Sequence, residues 1–206
     1  MGKISASWRD LGGVMQNKTE DSKTCTGVMI SARAYTSILA EALSRDPLET
    51  GGILLGHYKS GIWYIVEATD PGVETFHSEI DSVMDEKYHN HLYPVLSRIY
   101  REDLYLMGLW HRHPGSLDTL SFDDHETNRK YAEVIGNGTL SILLNLDPEP
   151  RLTCYYLDFN KTGKYYRPPI YIGDRKFRGT GYLNLASPDE LFRRQAQMKV
   201  EISCNP

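Results

Sequence analysis

Apolar positions along the chain fall into short blocks, and the spacing inside each block predicts an element. Val28 to Ile30 is a brief apolar run, and Ser31 is placed to cap a helix whose positions Tyr35, Ile38, Leu39, Ala42 and Leu43 recur at helical spacing. That helix should end near Arg45, because the residue before Pro47 is disfavoured in the helical region. Glu49 to Gly56, ETGGILLG, sets paired glycines ahead of a run typical of a buried strand, and Ile62 to Thr69 should pair with it across Lys59, Ser60 and Gly61. Met84 to Tyr100 reads as a helix with Tyr88, His91, Leu92, Val95, Leu96 and Ile99 near one stripe, kinked or interrupted by Pro94. Leu104 to Trp110 is a buried strand, Asp123 to Ile135 a helix, Thr139 to Leu146 a strongly apolar strand and Arg151 to Phe159 another. Asn160 to Gly163 suits a hairpin turn into Tyr165 to Ile172, where Pro168 and Pro169 imply an edge position or a break. Ser187, Pro188 and Glu190 form a capping pattern for a last helix towards Val200.

Strands alternating with two or three helices predict an α+β or α/β sandwich. With no convincing linker, one domain over residues 1–206 is expected. It carries a weakly patterned N-terminal arm (1–24), partly disordered or an added strand, and a C-terminal hairpin and helix extension (159–206).

Composition narrows the classes. At 206 residues, 40% hydrophobic and 24% charged, the chain is ordinary soluble globular material. No apolar run approaches the roughly 20 residues of a membrane span. Met1 to Glu20 is too polar for a signal peptide, so a cytoplasmic protein with no membrane partner is expected. Cys25, Cys154 and Cys204 are scattered, which argues against a disulfide framework or a thiolate metal site. A net charge of -4 gives no general pull towards nucleic acid. Two local patterns stand out. Glu67 to Glu86 holds seven acidic residues and no Lys or Arg, and reads as a solvated loop or helix face. Phe159 to Tyr182 interleaves six basic residues with Tyr165, Tyr166, Tyr171, Phe177 and Tyr182; a partner-binding or ordinary hairpin surface is preferred there over single-stranded nucleic acid.

The chemistry concentrates in Trp110 to Asp124, WHRHPGSLDTLSFDD. On a strand, His111 and His113 point to one face and can reach one ion. Asp124, across a loop and just inside a helix start, can supply a third ligand, and three N/O ligands with one open position describe a catalytic zinc site. His89 and His91 copy the spacing, but neighbours on a helix diverge, so they form no second pair. Hydrolysis needs a proton carrier outside the metal's ligands, and Glu49, ahead of two glycines at the mouth of a core strand, is the candidate. Ser121 can donate a hydroxyl to an oxyanion. It also spells S-x-x-D with Asp124, a helix cap with an acidic third position, and the two roles are compatible.

At these residues the chain resembles the JAB/JAMM (MPN+) zinc metalloproteases, whose pattern is a Glu on an early strand followed by H-x-H-x(7)-S-x(2)-D. Glu49, His111, His113, Ser121 and Asp124 match it at every position, over about Val28 to Leu146. The resemblance implies His111, His113 and Asp124 as zinc ligands, Glu49 as general acid/base and Ser121 as oxyanion stabiliser. It also implies an α+β, cytidine-deaminase-like sandwich with a curved mixed sheet flanked by helices. Implied substrates are ubiquitin-like proteins or their conjugates, cleaved after the C-terminal glycine, within a bacterial ubiquitin-like conjugation system such as one serving antiphage defence. The acidic stretch is then expected to receive a basic tail by charge complementarity. Competing readings are a non-catalytic scaffold of the same fold and a nucleic-acid-associated relative.

Overall fold

The computed structural model describes residues 24–77, 82–115, 117–136, 138–158 and 163–204. The expected arm up to Lys23, the acidic residues Glu79 and Asp81 and the turn residues 160–162 lie outside them, as does the side chain of Cys204. In chain order the elements are β1 (Gly27–Ile30), α1 (Ala32–Arg45), β2 (Thr50–Lys59), β3 (Ile62–Ala68), β4 (Phe76–His77) and β5 (Ser82–Val83). There follow α2 (Glu86–Ile99), β6 (Tyr105–Arg112), α3 (Phe122–Ile135), β7 (Thr139–Asn145), β8 (Arg151–Asp158), β9 (Lys164–Tyr166), β10 (Ile170–Ile172), a short 3-10 turn at Asp174–Phe177, and α4 (Pro188–Cys204).

Eight strands make one mixed sheet in the order β10-β1-β3-β2-β6-β7-β8-β9, with β4 and β5 a separate ribbon. β1 runs parallel to both β3 and β10, β6 parallel to β7, and the other neighbours are antiparallel. The two outermost strands are joined by only Arg167, Pro168 and Pro169. A flat sheet of this width would hold its edges more than ~30 Å apart at about 4.8 Å per strand. Four Cα steps span at most ~15 Å. The sheet must therefore be strongly curled, and β10 does come close to β8. The two prolines thus mark both expected features, a break and an edge, because among the described residues neither strand they separate has an outer neighbour to receive a backbone N–H.

Local chemistry explains most boundaries. Ser31 accepts from the Ala34 amide at 3.0 Å and starts α1. Ser60 (φ 50) and Gly61 (φ 82) both occupy the left-handed region, the tight turn that the twist of a two-residue hairpin requires between β2 and β3. Ser187 caps α4 with Glu190 returning the bond to the Ser187 amide at 2.8 Å.

Strand alternation sends side chains into two cores. On one face Leu54, Trp63, Trp110, Leu140 and Ile142 pack under α1. On the other, Ile53, Leu55, Leu106 and Leu109 pack against Tyr93 of α2 and Tyr131 of α3.

Three sequence expectations need correction. The buried face of α2 is His89, Tyr93 and Ser97, while Val95 is 40% exposed. Hydrophobic spacing missed this because polar bonds hold that face. The His89 ring is within 3.0 Å of the Thr69 hydroxyl and of the Asp70 and Asp85 carbonyls, and Ser97 donates to the Leu104 carbonyl at 2.8 Å. Pro94 does not interrupt this helix. Finally, the acidic stretch is not a solvated face throughout. Glu67 is 2% exposed and takes bonds from the Tyr100 hydroxyl at 2.5 Å and from Arg33 at 2.7 Å. Asp85 caps α2, and Asp70 accepts from the Gly72 amide and the Tyr88 hydroxyl.

Candidate metal centre

The centre stands where β2 and β6 end together. β6 runs antiparallel to β2 with Gly51 opposite His111 and Gly52 opposite Trp110, so Glu49, just ahead of β2, arrives beside the histidines. The paired glycines exist for close backbone approach. A Cβ at Gly51 would lie 2.6 Å from the Trp110 carbonyl oxygen, and one at Gly52 would lie 2.0 Å from that of Thr69. That second carbonyl also accepts from the Trp110 indole at 2.8 Å, locking the loop after β3 to the strand that carries His111. These glycines therefore admit neighbouring backbone.

His111 is the penultimate residue of β6 and His113 lies one residue past its end. The chain then turns through Gly115 (φ 72) to Ser121, which caps α3. Ser121 Oγ accepts from the Asp124 amide at 3.1 Å, and Asp124 Oδ2 accepts from the Ser121 amide at 2.7 Å. This capping box fixes the direction of the Asp124 carboxylate. One oxygen lies 3.1 Å from His111 Nε2 and the other 3.4 Å from His113 Nε2, while the two Nε2 atoms are 3.1 Å apart. Glu49 offers a carboxylate oxygen within 4.8 Å of both imidazoles. Asp124 is the carboxylate in direct contact with them.

Electrostatics agree with that contact from both sides. Burial favours neutral Asp124, but the bonds from His111 and His113 outweigh it and hold the carboxyl far below its ordinary range. Burial likewise disfavours a charged His113, yet Asp124, with smaller help from Glu49 and the Leu117 backbone, raises its pKa.

Do these residues fit zinc? Tetrahedral zinc with N and O ligands at about 2.0–2.1 Å separates its ligand atoms by about 3.3–3.4 Å. The two Nε2 atoms, 3.1 Å apart, stand close to one such edge, and the Asp124 carboxylate brings one oxygen to 3.1 Å from the first and its other oxygen to 3.4 Å from the second. Two imidazole nitrogens and a carboxylate oxygen are also a donor set that zinc accepts, with one position to spare. The side chains are 13–16% exposed, so the centre is shielded yet reachable.

Other residues at the centre carry little sequence signal. Thr69 takes the Trp110 bond, Leu117 offers its backbone to His113, and Tyr155 reaches the neighbouring Asp118 carbonyl at 2.6 Å. Cys25 is half-buried with its thiol pushed up to about 12, and the buried Cys154 is likewise raised, both mainly by desolvation, as inert thiols should be. No helix among the described residues is long and apolar enough to cross a membrane.

Residues 31–153 match the family described as prokaryotic homologs of the JAB domain. A curated relative from Enterobacter hormaechei subsp. hoffmannii (strain UCI 50), named CD-NTase/cGAS isopeptidase, is 32% identical over 99 residues, which is 47% of this chain and 53% of the relative. The chain thus spans about half the length of that relative. Among solved structures, the solution structure of protein DSY2949 from Desulfitobacterium hafniense aligns with a TM-score of 0.51 at 14% identity, over 70% of this chain and 92% of that one. That likeness concerns the fold alone.

Proposed function

The chain belongs to the prokaryotic homologs of the JAB domain, and from that membership we propose a zinc-dependent isopeptidase that hydrolyses the bond after the C-terminal glycine of a ubiquitin-like protein. The observation that carries the reading is the Asp124 carboxylate spanning two imidazoles whose Nε2 atoms stand 3.1 Å apart, close to one edge of a tetrahedral zinc site. His111, His113 and Asp124 would hold the metal. Zinc, when bound, supplies Lewis acidity that makes water a nucleophile near neutral pH.

The remaining work falls to this chain's own groups. Glu49, beside both histidines but outside their contact with Asp124, takes the proton from the attacking water and returns it to the departing lysine amine. Ser121 accepts the cap bond from the Asp124 amide, and its own hydroxyl proton can be donated to the developing oxyanion. Gly51 and Gly52 keep the Glu49 end of β2 close against β6, which holds base and ligands in register.

The name of the Enterobacter relative supports isopeptide cleavage and a CD-NTase conjugate as the target; a cytoplasmic antiviral system built on ubiquitin-like conjugation is the setting of the proposal. Membrane and nucleic-acid partners are not part of the proposal. Charge steering of a basic tail by the acidic stretch is assigned to the exposed Glu74, while Glu67, Asp70 and Asp85 are engaged internally. The test is to measure zinc stoichiometry and cleavage of ubiquitin-like fusions, comparing the wild type with Glu49→Ala. One zinc per chain and cleavage lost in the variant are expected; cleavage that survives Glu49→Ala would overturn the mechanism.

A further inference from the structure

Between the proposed ligands His113 and Asp124, the loop residue Asp118 is tied down through its backbone. The His113 ring at the start of that loop has its Nε2 3.1 Å from that of His111 and 3.4 Å from the Asp124 carboxylate. The Asp118 carbonyl accepts from the Tyr155 hydroxyl at 2.6 Å, and Tyr155 stands on β8, a strand that supplies none of the five residues of the centre. Tyr155 is held in turn. Arg167 donates through Nη2 to the Tyr155 hydroxyl oxygen and lays its guanidinium 4.7 Å above the ring.

A charged donor on that oxygen polarises the O–H and strengthens the bond it gives to Asp118. The bond is also shielded, because Tyr155 is only 8% exposed. The same strap of chain steadies the helix side of the centre. Tyr165 of β9 lies 5.0 Å from the ring of His125, the residue after Asp124, and takes a bond from Asn128 of α3 at 3.4 Å. Both Tyr155 and Arg167 fall beyond residue 153, where the match to the family ends.

We propose that Tyr155 and Arg167 are positioning residues of the metal centre: Arg167 orients Tyr155, whose hydroxyl anchors the Asp118 carbonyl and so fixes the loop that joins His113 to Asp124. This rests on the metal-site reading above. Partners that orient a ligating imidazole from outside the coordination sphere typically contribute 10- to 100-fold in metal affinity, and Tyr155 acts on His113 at one remove.

The experiment measures zinc affinity by competition with a chromophoric chelator, alongside the melting temperature in excess EDTA. It compares wild type, Tyr155→Phe, Arg167→Ala and the double variant. Tyr155→Phe keeps the ring and removes only the hydroxyl; it should bind zinc about 10-fold more weakly, with its melting point lowered less in EDTA than with zinc. Arg167→Ala, at an exposed residue, should weaken zinc in the same direction by less. The double variant should match Tyr155→Phe, because the two act in series. Zinc affinity within twofold of wild type in Tyr155→Phe overturns the positioning role, as does an equal loss of melting temperature without zinc, the sign of a merely structural prop. A wild type that takes up no zinc overturns the metal reading itself, and the positioning role with it.

Discussion

The α-carbon of Gly52 sits so close under Thr69 that a methyl group on it would stand 2.0 Å from the Thr69 carbonyl oxygen and 2.7 Å from the Trp110 indole nitrogen. Gly52→Ala must therefore separate two backbones and break the Trp110 to Thr69 bond, at a cost of at least about 3 kcal/mol, the upper range for overpacking. Gly115, whose added Cβ would meet nothing within 4 Å, should lose only about 1 kcal/mol to its positive φ on substitution by alanine. Urea denaturation of the two variants checks the contrast; equal losses would contradict it.

Asp124 and Glu49 are both carboxylates near the imidazoles, and substitution separates them. Asp124→Ala should abolish stoichiometric zinc binding. Glu49→Gln should keep zinc and lose about 100- to 10,000-fold in kcat/KM, the usual range for a general base. The opposite pattern in zinc titration would make Glu49 the third ligand.

Ser121 caps α3 and is the proposed oxyanion donor, and one substitution can divide the two. Ser121→Asp retains an N-cap acceptor but has no hydrogen to give once ionised. Its melting temperature should stay near wild type while kcat falls about 100- to 1000-fold. Ser121→Ala should lose both the rate and about 1 kcal/mol of stability. Full activity in Ser121→Asp would leave the residue as a cap only.

His57 predicts acid sensitivity. It is 5% exposed, stacked 4.1 Å from Tyr182, and burial lowers its pKa to about 4 from 6.5. Between those values the unfolded chain binds a proton that the folded one refuses, so stability falls as pH drops from about 6.5 towards 4. At about 1.4 kcal/mol per unit the loss is on the order of 3 kcal/mol. His57→Phe should flatten most of the decline between pH 7 and 4.5 in denaturant titrations. A remainder is expected from His89, also lowered by burial.

The gathering of His111, His113 and Asp124 was readable because all three lie in one short stretch where strand alternation and a helix cap determine direction. The strands β2, β6 and β7 were readable from their apolar runs, whereas the curvature of the sheet was implied by the family resemblance. What hid from sequence was held by long-range polar bonds. The buried face of α2 depends on Thr69 and Leu104, and Glu67 on Arg33 and Tyr100, partners that no periodicity reveals. The Tyr155 and Arg167 pair was equally silent, because its meaning depends on how the last strands wrap back.

That wrapping has a consequence for truncation. β9 covers β8 and β10 covers β1, so one segment of nine residues, Lys164 to Ile172, shields both margins of the sheet. A chain ended at Asp158 would bare two lines of unsatisfied amides and carbonyls at once, each a template for another molecule's strand. Such a fragment should assemble end to end into soluble oligomers or fibres, even though it retains Glu49, His111, His113, Ser121 and Asp124.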